Sequence, residues 1–82
     1  MAATTVNTAR IVEVHAGIQW NVIRPGKRIR RTRTAVAALE LVKRGSRQHS
    51  ELTGKTVITT VSWEPTTAVG RAVVQAIVGG AQ

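Results

Sequence analysis

Six of the chain's twelve basic residues stand within the segment Arg24-Pro25-Gly26-Lys27-Arg28-Ile29-Arg30-Arg31-Thr32-Arg33, and no acid interrupts them. Like charges at this density repel, so such a stretch is either a solvated tail or a face with an anionic partner. Its place between two apolar-patterned segments, with Pro25-Gly26 marking a turn inside it, argues against a tail. A charged strand can also keep a sheet edge from pairing, but one or two charges suffice for that. The segment therefore reads as a basic β-ribbon that meets nucleic acid, DNA before RNA, or a nucleoprotein. In the major groove Arg binds guanine O6 and N7 bidentately, and Asn or Gln reads adenine. Arg28, Arg30, Asn21 and Gln19 are predicted on one outward face with access to bases. Arg24, Lys27 and Arg33 are placed for phosphates, and Arg31 belongs to the same ribbon.

Other chemistry finds little support. The histidines are His15 and His49, there is no Asp or Cys, and the acids Glu13, Glu40, Glu51 and Glu64 stand singly. No nucleophile, base and orienting group come together in that pattern, so the chain does not read as an enzyme. Two histidines without further ligands do not suggest a metal site, and no cofactor is expected. Gly26-Lys27 lacks the glycine spacing and the following Ser or Thr of a phosphate loop. The two tryptophans, Trp20 and Trp63, fall in phase with β-branched residues and read as core, not as stacking platforms. Trp20 is also placed for a cation–π contact with Arg31.

The elements that must hold the ribbon follow from composition and period. The chain has 82 residues and a formal net charge of +8. A chain this short supports one thin core, here aliphatic, and gains from self-association. Absence of cysteine suits a reducing, cytoplasmic setting. No signal peptide and no membrane span is expected.

Residues 1–8 read as a flexible arm and 9–82 as one domain. Ile11 to Val14 alternates as a first strand, with Val12 and Val14 sharing a face, and Ala16-Gly17 as the turn after it. Ile18, Trp20 and Val22 form the buried face of a second strand. The Arg24–Lys27 turn then sets Val22 opposite Ile29 and Trp20 opposite Arg31, in a third strand over about 28–33. Thr32 or Thr34 caps a helix whose stripe is Ala35, Ala38, Leu39 and Val42, ending at Gly45 as C′. Residues 46–54 read as a polar loop. Val57, Thr59, Val61 and Trp63 form one face of a fourth strand. After Pro65, Thr66 or Thr67 caps a second helix with the stripe Val69, Ala72, Val73, Ala76 and Ile77. The expected fold is a small α+β domain, β-β-β-α-β-α, an antiparallel sheet with both helices on one face. Its predicted core is Trp20, Val22, Ile29, Leu39, Val42, Val57, Val61, Val73 and Ile77. Val74 and Val78, off the main stripe, predict a weak homodimer through residues 70–78.

The run Gly17-Ile18-Gln19-Trp20-Asn21-Val22, then Pro25-Gly26-Lys27-Arg28-Ile29-Arg30-Arg31, then a Thr-capped Ala-rich helix, resembles the three-stranded-sheet DNA-binding domains. These are the arm-binding domains of phage tyrosine recombinases and their AP2-like relatives. The resemblance covers residues 10–44 and implies a sheet in the major groove, with Arg28, Arg30 and Asn21 at bases, in an accessory or regulatory role of phage or mobile-element type. The fourth strand, the second helix and Arg31-Thr32-Arg33, where the family carries an aromatic, depart from it. Size and layout are also similar to small phage anti-CRISPR proteins. That likeness implies an inhibitor, or a structural component, that binds a nucleoprotein or protein assembly.

Overall fold

The computed structural model describes residues 4–79. Its elements are β1 (Thr4–His15), β2 (Gln19–Ile23), β3 (Arg30–Thr32), α1 (Ala35–Thr53), β4 (Thr56–Glu64) and α2 (Ala68–Gly79). The domain is α+β with the expected β-β-β-α-β-α order. The strands form one sheet in the order β3-β2-β1-β4. β2 runs antiparallel to β1 and to β3, whereas β4 runs parallel to β1. The sheet is thus mixed, not wholly antiparallel. α1 carries the chain back to the start of β1, so the next strand repeats the direction of β1.

Residues Thr4–Thr8 belong to β1, where an arm was expected. They pair in unbroken register with Thr56–Thr60. Their Thr-rich alternation gives no apolar signal, and a partner about fifty positions away in sequence supplies the ladder. Residues 1–3, the rest of that expected arm, lie outside the described residues.

One face of the sheet carries Ala9, Ile11, Glu13, Trp20 and Val22, all buried. Val61 and Trp63 of β4 continue it, and Trp63 meets Trp20 edge to face at 6.3 Å and 88°. α1 covers this face with Ala35, Ala38 and Val42 buried and Leu41 half-buried. Val73, Val74 and Ile77 of α2 complete the cluster. Val74 is half-buried against this cluster, and Val78 is exposed. Ile29 is not core: it is 59% exposed in the connection before β3. Leu39 and Val57 are only half-buried, and Ile18 is exposed. Val12 lies on the open face, opposite the helices, and an irregularity in the ladder between Glu13 and His15 interrupts the alternation expected to set Val14 beside it.

Local chemistry sets the ends of the helices. The Thr34 side chain accepts from the Ala37 N–H at 3.0 Å, capping α1. α1 does not stop at Gly45. It runs to Thr53 and ends on Gly54, whose φ of 67° is the left-handed cap and whose N–H donates to the Ser50 carbonyl at 3.0 Å. An interior glycine costs a helix about 1 kcal/mol, which packing can offset. The Ser46 hydroxyl donates to the Val57 carbonyl at 3.1 Å, tying the added turns to β4.

α2 is anchored by an acid that the sequence left unremarked. Glu13 is 2% exposed. Its carboxylate accepts from the Thr66 N–H at 2.6 Å, the Thr67 N–H at 2.8 Å, the Thr67 hydroxyl at 2.6 Å and the Gly17 N–H at 2.6 Å. Thr67 Oγ1 in turn accepts from the Gly70 N–H at 3.0 Å, as the N-cap of α2. Burial alone would push this carboxyl up, but the Thr67 hydroxyl and the backbone N–H groups of Thr66, Gly17 and Thr67 outweigh it and hold the pKa at about 2. Gly70 sits so close that any Cβ would collide with the carboxylate. One buried charge thus joins β1, the β1–β2 turn and α2.

Candidate nucleic-acid interface

The ribbon starts from the turn the sequence specifies. The Lys27 N–H donates to the Arg24 carbonyl at 3.3 Å, and Gly26 takes φ of 68°, as a type II turn requires. The chain then does not pair at once. Lys27 to Ile29 form a connection, and β3 spans only Arg30–Thr32. The pairs are Val22 with Arg30, Asn21 with Arg31 and Trp20 with Thr32.

This register differs by one residue from the expected one, and a one-residue shift turns every side chain to the other face. Arg30 and Thr32 share the helix side with Val22 and Trp20. Arg31 shares the open side with Asn21. The expected face uniting Arg28, Arg30 and Asn21 does not form. Nor does Arg31 lie opposite Trp20, so their cation–π contact is replaced by a Thr32 neighbour. The reason is local: Thr32 donates its hydroxyl to the Thr34 carbonyl at 2.9 Å, fixing the strand end against the cap of α1. The longer connection lets Ile29 leave the sheet.

The basic side chains consequently divide about β3. On the helix side Arg24, Lys27, Arg28, Arg30 and Arg44 line one open cleft of about 550 Å³ together with Gln48 and His49. That cleft holds five permanent cations and no acid. Its second wall is α1, where Leu41, Arg44, Gly45, Gln48 and Leu52 recur at helical spacing. Arg24 lies across Gly45, its guanidinium 3.0 Å from where a Cβ would stand. Its Nε is buried with no hydrogen-bond partner among the described residues. A smaller pocket of about 190 Å³ opens beside it, lined in part by Asn7, Thr59, Ser46 and His49. On the open side Arg31 and Arg33 lie with Gln19 and Ile18 around a shallow concavity, and Asn21 stands opposite Arg31.

Arg24, Lys27, Arg28 and Arg30 are thus brought together, and Arg31, Arg33, Asn21 and Gln19 form a second group across the edge strand. Arg44, Gln48 and His49 were not foreseen as site residues. Their signal was the continued helical spacing through Gly45. Arg10 is already engaged: its guanidinium donates to both Glu64 oxygens, one at 2.8 Å, which holds the Glu64 carboxyl below the usual range.

No protein-family model matches the chain, and no curated protein or solved structure is significantly similar to it. Among the described residues no helix is long and apolar enough to cross a membrane.

Proposed function

We propose that this chain is a small accessory or regulatory protein of the cytoplasm that binds nucleic acid, duplex DNA first, with the β3 edge against the phosphate backbone. The observation that carries this reading is the division of cations on either side of a three-residue edge strand. Arg24, Lys27, Arg28, Arg30 and Arg44 occupy one side, and Arg31 and Arg33 the other. An edge flanked in this way can reach phosphates on both of its sides, and such contacts position a protein without reading sequence. Asn21 and Gln19, beside Arg31, are the side chains available for base edges.

The deciding experiment is retardation of short duplex DNA, single-stranded DNA and RNA across a salt series. A phosphate-dominated binder loses affinity linearly in log salt. Binding that ignores salt, or no binding to any of the three, removes the proposal. A second reading has its own support: Leu52 is 80% exposed on the cleft wall and Ile29 is exposed before β3. An apolar rim on a basic cleft suits an acidic protein surface, as an inhibitor or a component of an assembly would meet. That reading moves ahead if nucleic acid does not bind.

A further inference from the structure

The sheet has two edges of opposite character. β3 is three residues long, contains Arg30 and Arg31 and is flanked by Arg28 and Arg33. Charge and brevity are the devices by which proteins keep an edge from pairing. β4, at the other end, is nine residues long and lacks Lys, Arg and Pro. Its register with β1 is unbroken from Thr56 to Glu64, so no bulge turns it away. The backbone groups on its outer side have no strand partner among the described residues.

We infer that β4 is a self-pairing edge, and that two copies of this chain join antiparallel through it about a twofold axis at Thr60. The sequence of β4 is complementary to itself in that register. On the open side Thr60 meets its own copy and Ile58 meets Ser62. On the helix side Val57 meets Trp63 and Thr59 meets Val61. Those helix-side residues are half-buried in one chain, and Val57, Thr59 and Val61 border a groove of about 300 Å³ whose α1 wall carries Leu39 and Val42 together with Lys43 and Arg47. Pairing sets the two grooves side by side. It also sets Thr56 opposite Glu64 of the partner subunit at each end of the seam.

Charge decides in favour of this edge over others. A chain of formal charge +8 resists its own copy. In the joined sheet, however, the two β3 strands are about seven strand spacings apart, roughly 34 Å. Salt screens charges beyond about 8 Å at physiological strength. The joined sheet thus keeps the two basic β3 edges far apart and pairs strands that carry no Lys or Arg of their own, with Lys43 and Arg47 set back on α1. Self-association also relieves the thin core of a chain this short.

The test is sedimentation of the full chain across a wide concentration range, with three variants. Wild type is expected to reach twice the monomer mass. Thr60→Lys places like charges at the axis and is expected to give a folded monomer, since Thr60 is exposed on the open face. The chain has no cysteine, so Thr60→Cys reports alone. Directly opposite residues of antiparallel strands have Cα atoms about 4.5–5.5 Å apart, within disulfide reach. Thr60→Cys is therefore expected to cross-link on oxidation. Thr8→Cys, equally exposed on the neighbouring strand, would lie about three spacings, roughly 14 Å, from its copy and is expected not to cross-link. A wild type that stays monomeric overturns the inference. So does a Thr60→Lys variant that still dimerises, which would move the contact elsewhere, to Val78 of α2 for example.

Discussion

Replacing Arg28 and Arg44 together by Ala tests the interface most directly, because the two side chains come from opposite walls of the cleft and both are exposed. The cleft contributes five cations and the open side adds Arg31 and Arg33. If all of them reach phosphates, log affinity falls with log salt at a slope of about −6, using roughly 0.9 per contact. Raising salt from about 50 to 200 mM then weakens binding roughly 6,000-fold. Losing two contacts reduces the slope to about −4.5 and that loss to roughly 500-fold. The Arg31→Ala, Arg33→Ala pair is expected to do the same from the other side of β3, and the four changes together to lower the slope by about four.

The assay is a binding titration at four or five salt concentrations, with unfolding followed in parallel to show that the variants stay folded. Two outcomes refute the reasoning in different ways. If one pair lowers the slope and the other leaves it untouched, the duplex lies on one face and not along the edge. If neither pair alters the slope, these cations do not contact phosphate at all.

Three further outcomes follow from the packing. Gly45→Ala should stabilise the fold by about 0.5–1 kcal/mol, because it removes an interior helix glycine and only the mobile end of Arg24 must move; a lower midpoint in thermal unfolding would contradict this. Gly70→Ala should destabilise by about 1–3 kcal/mol, since its Cβ collides with the Glu13 carboxylate; a variant that melts like wild type would show that α2 is not seated there. Glu13 has a folded pKa of about 2 against an ordinary value near 4.3, so its stabilisation is complete above that value and is lost as pH falls through about 2. The unfolding midpoint should therefore drop between about pH 5 and 2 in wild type and more shallowly in Glu13→Gln, with equal slopes contradicting the anchor.

Much of the fold was legible because periodicity and punctuation agreed. The alternation of Val57, Thr59, Val61 and Trp63 placed β4 and its buried face. Pro25-Gly26 placed the turn, and the threonine pairs Thr32/Thr34 and Thr66/Thr67 narrowed the caps that fall on Thr34 and Thr67. What was not legible depended on partners distant in sequence. Thr4–Thr8 carry no apolar alternation, and only the parallel ladder with Thr56–Thr60 makes them a strand. Glu13 is one of four single acids in the sequence and sits inside the first strand. Its burial depends on the Thr66-Thr67 backbone about fifty residues away, which no local pattern announces.

The site shows the same division at finer scale. The concentration of charge between Arg24 and Arg33 located the surface, because no packing could bury so many cations. Which of them stand together depended on two single-residue facts. The turn alone predicts a register in which Arg28 pairs at once. Five residues, Arg24 to Arg28, separate Ile23 from the unpaired Ile29, and the strand begins only at Arg30. The capping contacts of Thr32 and Thr34 set that register, not the turn. Gly45 looked like a helix end because a left-handed cap favours glycine. Here its missing side chain instead admits the Arg24 guanidinium against the helix, and the left-handed cap falls to Gly54. The extra turns carry Gln48 and His49 into the cleft beside Arg44. A glycine that leaves room for an arginine and a glycine that ends a helix look alike in sequence. They differ only in what packs against them, and here that difference builds the second wall of the basic cleft.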